Sequence, residues 1–113
     1  MGKKRKRKDA PADPGAELSG LALLLSETPA DTLDLHGYTA LQAEARLSDF
    51  LRTQAVVSPG RVLHVITGRG LGSEGPPVLP GLVRDLLDHD FSEYVVASAA
   101  LPGGGGLAVR LRS

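Results

Sequence analysis

Two short stretches that carry polar residues each close an apolar run and each end in glycine. The first reads LDLHG at residues 33–37, and the second reads TGRG at residues 67–70. Asp34 and His36 are two positions apart, so on a strand their side chains project from the same face. A carboxylate beside an imidazole fixes the tautomer of the ring and suits it to general acid or base work. The pair is therefore either catalytic or a structural hydrogen bond that closes a turn.

The second stretch has the composition of an anion-binding loop. Gly68, Gly70, Gly72 and Gly75 permit positive φ angles and leave backbone N–H groups uncovered. Arg69 adds a guanidinium that can hold a phosphate through two hydrogen bonds. A plain tight turn is the other interpretation of such a loop. The lysine of the nucleotide-binding P-loop pattern is absent, which gives ATP or GTP binding little support.

The sequence contains no pattern with the spacing of a metal site. Asp34 and His36 supply two possible ligands without an obvious third. We therefore predict no metal-binding residue, and leave open a divalent cation, Mg²⁺ or Mn²⁺, as a cofactor. His64, inside an apolar run, is interpreted as a core histidine with satisfied hydrogen bonds, and His89 as a residue that caps the last turn of its helix.

The residues around the first polar stretch predict a strand, a turn and a helix. The strand is TLDLH, at 32–36. Thr39 followed three positions later by Gln42 is typical of a capped helix start, and the helix is expected to run to about Gln54. The apolar residues at helical spacing form its predicted buried stripe: Ala43, Leu47, Phe50 and Leu51.

The second polar stretch follows a strand of a different kind. RVLHVIT, at 61–67, is apolar at nearly every position, which is typical of a strand in the middle of a sheet covered by helices. The carboxyl ends of parallel strands lie at one edge of a sheet, where ligands bind in such folds. We therefore expect Asp34 and His36 to converge with Thr67 and Arg69 on one small surface.

The remaining sequence completes a small α/β domain. A helix is predicted from near Pro80, and two further strands, EYVVASAAL and GLAVRLR, are joined by PGGGG at 102–106. Strand–helix–strand units with short loops favour parallel pairing and right-handed crossovers. The predicted fold class is α/β, a two-layer sandwich in the order βαβαββ, with a mostly parallel four-stranded sheet and an antiparallel last strand.

The chain before this domain divides into a tail and a helix. Residues 1–15 combine charge, proline and glycine, and we predict a disordered basic tail. The extension at 16–31 is predicted to form a short amphipathic helix that packs on the domain at 32–113. Four leucines of this helix have helical spacing: Leu18, Leu21, Leu24 and Leu25.

The formal net charge of zero hides an asymmetry along the chain. Six of the 13 basic residues lie in the tail, so the rest of the chain is mildly acidic. Basic tails commonly raise nonspecific affinity for nucleic acid, and a simple solubility tail is the other interpretation. The tail residues predicted to contact phosphates are Lys3, Lys4, Arg5, Lys6, Arg7 and Lys8.

Length and composition exclude several classes of protein. The chain has no cysteine, so disulfides and thiolate metal sites are excluded. No apolar run approaches the roughly 18–20 residues that span a bilayer, so we expect a soluble, cytoplasmic protein with no membrane partner. Its 2 Tyr, 2 Phe and absent Trp argue against broad stacking onto bases. A chain of 113 residues fits one domain, and we favour a monomer.

The order and spacing of these motifs resemble the Smr domain, the small MutS-related family. The resemblance rests on LDLHG, VITGRG and PGGGGLAVRL with the helices between them, and it covers roughly residues 32–113. It implies an α/β sandwich that binds nucleic acid and, in many members, nicks DNA or cleaves RNA with or without a metal. The matching positions are Asp34 and His36, then Thr67, Gly68, Arg69 and Gly70, then Gly103 to Gly106.

Two features depart from the family pattern. Members often have a histidine and a serine shortly after TGxG, whereas here Gly72 stands where the histidine would be and Ser73 is retained. The following helix start is also less basic than usual, so Arg69, Arg61 and the tail would supply most of the attraction to phosphate.

The leading hypothesis is a stand-alone Smr protein that binds DNA or RNA and is a weak phosphodiester endonuclease. His36 would be the general acid or base and Asp34 would orient it. The loop at 67–70, together with Ser73, would hold the phosphate. The alternatives are a nucleic-acid-binding module without catalysis and a protein-interaction adaptor.

Overall fold

The computed structural model describes residues 14–68 and 79–113 of the 113-residue chain. In chain order the elements are α1 (Pro14–Ser26), β1 (Asp31–Asp34), α2 (Ala40–Val57), β2 (Val62–Ile66), α3 (Leu79–Asp85), β3 (Val95–Ala100) and β4 (Gly106–Leu111). A π-helical turn at Leu86–Asp90 continues α3, and a 3-10 turn at Ser92–Tyr94 leads into β3.

The four strands form one mixed sheet in the order β1–β2–β4–β3. β1 and β2 are parallel, with Asp31 opposite Leu63 and Asp34 opposite Ile66. β4 lies between β2 and β3 and is antiparallel to both. The predicted mostly parallel sheet is therefore wrong. Within the described residues only the β1–β2 pairing is parallel, because β4 and not β3 takes the place beside β2.

A glycine at the start of β4 permits this arrangement. Gly106 is opposite Ile66, and a Cβ added at Gly106 would lie 2.8 Å from the carbonyl oxygen of Val65. A side chain there would clash with the backbone of β2. The N–H of Leu101 donates to the carbonyl oxygen of Gly106 at 2.9 Å and closes the β3–β4 hairpin. The close approach of β4 to β2 thus requires glycine at this position.

Helices cover both faces of the sheet. On one face α2 and α3 pack over the main core, whose buried residues are Leu35, Ala43, Leu47, Leu51, Leu63, Val65, Val83, Leu86, Leu87, Val95, Leu107, Val109 and Leu111. On the other face α1 packs over β3 and β4. There Leu24 is buried with Val62 and Ala108. Because neighbouring residues of β2 enter different cores, the strand is covered on both sides, as its apolar sequence predicts.

The start of α2 is fixed by the predicted capping box. The N–H of Gln42 donates to Oγ1 of Thr39 at 3.2 Å, and the N–H of Thr39 donates to Oε1 of Gln42 at 3.0 Å. Two backbone donors that the helix leaves without partners are thereby satisfied. The predicted stripe is confirmed, since these residues are buried or pack against the core: Ala43, Leu47, Phe50 and Leu51.

α1 confirms the predicted helix but buries less of it than expected. It begins at Pro14, two positions before the predicted extension. Leu24 is buried as predicted, whereas Leu21 is 50% exposed, and the side chain of Leu18 lies outside the described part of the chain. Just after α1, Glu27 pairs with Arg110 of β4 at 3.0 Å. The attachment of α1 to the sheet therefore combines one buried leucine with an ion pair.

Candidate functional site

The LDLHG stretch ends β1 and then turns sharply. The N–H of Tyr38 donates to the carbonyl oxygen of Leu35 at 3.1 Å, and Gly37 between them has a φ of +83°. A positive φ at the third of four residues is that of a type II turn and favours glycine. Leu35 is fully buried and anchors the turn in the core. His36, the second residue of the turn, is thereby presented at the surface.

Asp34 and His36 form a hydrogen-bonded pair. Nδ1 of His36 is 2.7 Å from Oδ1 of Asp34, and the backbone N–H of His36 donates to the same oxygen at 3.0 Å. The side-chain hydrogen bond from His36 lowers the pKa of Asp34 most, and the backbone hydrogen bond lowers it further. Asp34 is therefore ionised at neutral pH and can only accept. Nδ1 must carry the proton, which leaves the lone pair of the neutral ring on Nε2.

Both members of the pair are open to solvent. The side chain of His36 is 71% exposed and that of Asp34 is 53% exposed. A substrate can therefore reach the imidazole without any rearrangement of the fold. The same exposure lets water screen the interaction, so the pair adds little to stability compared with a buried one.

The second polar stretch reaches the pair through Gly68. The N–H of Leu35 donates to the carbonyl oxygen of Ile66 at 2.7 Å and joins the ends of β1 and β2. Gly68, two residues beyond β2, has a φ of +83°, and a Cβ added there would lie 3.3 Å from the Cβ of His36. The structure thus brings the described parts of the two polar stretches together, as the parallel pairing of β1 and β2 predicts.

A glycine turn between β3 and β4 holds the second stretch in place. The N–H groups of Thr67 and Gly68 both donate to the carbonyl oxygen of Gly105, at 2.8 and 3.0 Å. Thr67 is 6% exposed, and its hydroxyl donates to the carbonyl oxygen of Gly68 at 3.2 Å. The prediction of an uncovered N–H group is therefore wrong at Gly68, and the N–H of Thr67 is occupied as well. These residues support the site, and they do not offer free donors to a phosphate.

The run of glycines in this turn has a conformational cause. Gly103, Gly104 and Gly105 have φ angles of +84°, +78° and +86°. Residues other than glycine rarely adopt such backbone angles, so a run of three positive φ angles favours glycine at all three positions. The sequence predicts a turn at these residues, but the contact of the Gly105 carbonyl with the second polar stretch is visible only in the fold.

The remaining predicted phosphate-binding residues divide into two groups. One group lies outside the described residues and stays a prediction: Arg69, Gly70, Ser73, Lys3, Lys4, Arg5, Lys6, Arg7 and Lys8. The other is Arg61, which precedes β2 and so lies at the opposite end of the strand from Gly68, about 20 Å away. Arg61 is 3.6 Å from Glu27, which partly balances its charge. Arg61 therefore lies away from the Asp34–His36 pair, and its attraction to phosphate stays a prediction.

The other two histidines lie away from the pair. Nδ1 of His89 is 3.0 Å from the carbonyl oxygen of Asp85, in agreement with the predicted cap. His64 is opposite Thr32 and Ala108 in the sheet, and its Nε2 is buried without a hydrogen-bond partner among the described residues. The prediction of a fully satisfied core histidine is wrong for that nitrogen.

No cluster of three or more metal-ligating side chains occurs within 14–68 and 79–113. In the same part of the chain, no helix is long and apolar enough to cross a bilayer.

Tyr38 is a surface residue of the site that sequence reasoning did not single out. It ends the turn that presents His36 and is 36% exposed. The guanidinium carbon of Arg46 lies 5.5 Å from the centre of its ring. The sequence does contain one sign of its role. Tyr38 lies between a glycine turn and a helix cap, so it belongs to the apolar pattern of neither β1 nor α2.

A comparison with protein-family models decides the family of the chain. The Smr domain model matches residues 33–112. The chain belongs to the Smr domain family. The match extends from within β1 to just beyond β4, so it includes both polar stretches and the glycine turn that supports them. Smr domains form a nucleic-acid-binding, nuclease-like family, which gives this chain a role related to nucleic acid. A search of curated proteins found no match.

Proposed function

We propose that this Smr protein binds nucleic acid and is a weak endonuclease that hydrolyses phosphodiester bonds of DNA or RNA. The observation that supports the proposal most is the state of His36. Its Nδ1 is held by Asp34 at 2.7 Å, and its Nε2 has no hydrogen bond to any described residue. One nitrogen is thus fixed and the other is available at an exposed surface, which is the arrangement that proton transfer to or from a substrate requires.

Hydrolysis needs a proton to leave the attacking water and a proton to reach the leaving oxygen. Neutral His36 can accept the proton of the water at Nε2 as the oxygen attacks phosphorus. Alternatively, protonated His36 can donate from Nε2 to the leaving oxygen as the P–O bond breaks. In either role Asp34 orients the ring through its hydrogen bond to Nδ1. The pair lies in water and not in a closed cleft, so its electrostatic effect is reduced and the proposed activity is weak.

The negative charge of the phosphate must be met by groups other than the N–H of Thr67 and Gly68. The proposal assigns this task to Arg69, with Gly70 and Ser73 of the same loop as further donors. The basic tail adds nonspecific attraction. Mg²⁺ or Mn²⁺ bound to the substrate phosphates is proposed as an additional source of positive charge.

Two assays test this function: nicking of supercoiled plasmid and cleavage of a structured RNA. Each is run with and without Mg²⁺ or Mn²⁺. His36→Ala should lower the rate about 10²–10⁴-fold, the usual contribution of a positioned acid or base. Binding and melting temperature should hardly change, because the ring is exposed. Asp34→Asn should be milder, since it keeps an acceptor oxygen for His36 and loses only the charge.

The matched control is His89→Ala, which removes another exposed imidazole that contacts a backbone oxygen away from the site. This variant should cleave at the wild-type rate. Equal rates for His36→Ala and wild type would contradict the catalytic role of the pair.

A binding module without catalysis is the second candidate. The exposure of the pair and the presence of Gly72 where family members often have a histidine favour it. It predicts mobility shifts of DNA or RNA by the wild-type protein with no cleavage under any metal condition.

A further inference from the structure

One aromatic ring of this chain takes no part in its cores. The whole sequence contains 2 Tyr, 2 Phe and no Trp. Phe50, Phe91 and Tyr94 pack against the main core. Tyr38 is 36% exposed and belongs to neither hydrophobic cluster of the described residues. Packing of the core therefore does not account for an aromatic residue at this position.

The position of Tyr38 is set by the turn that presents His36. The 3.1 Å hydrogen bond from its N–H to Leu35 closes that turn. His36 and Tyr38 are two positions apart in the chain, so their Cα atoms are at most about 7 Å apart. A nucleotide whose phosphate lies at His36 therefore has its base within reach of the tyrosine ring.

The ring of Tyr38 contacts a cation on the neighbouring helix. The guanidinium carbon of Arg46 lies 5.5 Å from the ring centre, within the roughly 6 Å range of a cation–π contact. Arg46 belongs to α2, whose N-cap residue Thr39 directly follows Tyr38 and forms the capping box. The backbone of Tyr38 is thus fixed by the turn before it and the capping box after it, and the contact with Arg46 restrains the ring. Stacking on a restrained ring costs less ordering than stacking on a free one.

We infer that Tyr38, supported by Arg46, is a stacking platform for an unpaired nucleobase beside the phosphate that His36 acts on. The inference rests on the proposed function and adds the substrate class: single-stranded or locally unpaired nucleic acid in preference to a fully paired duplex. A base inside a duplex must leave its stack before it can lie on a protein ring, which costs free energy. Stacking is tolerant of base identity, so the platform selects unpaired structure and not sequence.

Binding to three oligonucleotides of equal length tests the platform: a single strand, a duplex with a central unpaired bubble, and a fully paired duplex. Each carries the fluorescent base 2-aminopurine, whose emission is quenched when it stacks. Wild-type protein should quench the first two and bind them more tightly than the third. Tyr38→Ala and Tyr38→Leu should relieve the quenching and weaken binding to the first two about five- to a hundredfold, with little change for the paired duplex.

Tyr38→Phe and Arg46→Ala test the contributions of the aromatic face and of the neighbouring cation separately. Tyr38→Phe keeps the aromatic face and should bind and quench as wild type does. Arg46→Ala should reduce quenching, whereas Arg52→Ala should not. Arg52 is an exposed residue of the same helix that pairs with Asp49 at 2.9 Å, so it controls for the loss of one positive charge. Melting temperatures of all variants confirm that each is folded.

The outcomes distinguish the platform from the proposed function. If wild-type protein binds none of the three oligonucleotides, the proposed function fails and the platform with it. If wild type binds, and folded Tyr38→Ala and Tyr38→Leu bind and quench like wild type, the platform is overturned while the proposed function stands. Equal wild-type affinity for the paired duplex and the single strand would also overturn the platform.

Discussion

Gly68 lies so close to His36 that a Cβ added to Gly68 would be 3.3 Å from the Cβ of His36. The backbone of Gly68 also has a φ of +83°, which residues with side chains rarely adopt. Conformation and contact are therefore two independent reasons for glycine where the second polar stretch meets the Asp34–His36 pair. The placement of the imidazole depends on a residue that has no side chain.

Gly68→Ala should lower both stability and activity. The left-handed backbone alone costs about 1–2 kcal/mol of folding free energy. The contact with His36 should move the imidazole as well, so cleavage should fall further than the folded fraction does. Gly103→Ala is the matched control, because Gly103 has a φ of +84° and open space around the added Cβ. Denaturant unfolding and plasmid nicking measure the two effects, and identical losses in both variants would show that the contact is unimportant.

The ionisation of Asp34 should depend on His36. Hydrogen bonds from His36 lower the pKa of Asp34, so the carboxylate stabilises the fold above the ordinary aspartate range, about pH 4, and this contribution is lost as pH falls through the lowered pKa of the folded state. His36→Ala removes the largest cause, and the pKa of Asp34 should rise while the backbone N–H keeps part of the effect. NMR titration of the side-chain carboxyl carbon measures it. The stability change should stay below about 1 kcal/mol because the pair is exposed.

Arg69→Ala should weaken nucleic-acid binding more than Arg84→Ala. Arg69 belongs to the proposed phosphate loop, whereas Arg84 is an exposed residue in the last turn of α3. Loss of a charge-assisted hydrogen bond to phosphate costs about 1.5–3 kcal/mol, or roughly tenfold or more in affinity. Fluorescence anisotropy with a labelled oligonucleotide gives both affinities. Small and equal effects would place the phosphate contact at other residues.

Removal of residues 1–9 should weaken binding and reduce its salt dependence. The segment carries six of the chain's basic residues and contains almost no apolar residues. Each phosphate contact that is lost should lower the slope of log affinity against log salt by roughly 0.7–0.9. Titrations at several salt concentrations give the slope, and thermal melting tests that the fold is retained. If the slope is the same in the full chain and the truncated chain, the tail does not contact phosphate.

Features that depend on neighbouring residues could be predicted from the sequence. The capping box of Thr39 and Gln42 spans four residues, and the hydrogen bond between Asp34 and His36 spans three. The covered central strand was also predictable, because nearly every residue of β2 is apolar. In these cases the interacting atoms are brought together by local geometry alone.

Features that depend on distant pairings could not be predicted in the same way. The β3–β4 hairpin can meet β2 through either strand, since both strands are rich in small and apolar residues. The sign in favour of β4 was Gly106, because glycine inside a strand often marks a close approach of another backbone. The hydrogen bonds from the N–H groups of Thr67 and Gly68 to the carbonyl oxygen of Gly105 follow from that pairing. Because the pairing was not predicted, the loop was expected to offer free N–H groups to a phosphate.

The central place of β4 also affects how the protein folds as it is made. β1, β2 and β3 leave the ribosome before β4, yet β4 is the strand that joins β2 to β3. Until it emerges, β3 lacks its strand partner, and Thr67 and Gly68 lack the carbonyl oxygen of Gly105. Pairings between residues distant in sequence form late and slowly. A nascent chain that stops short of β4 therefore lacks the contacts that complete the site.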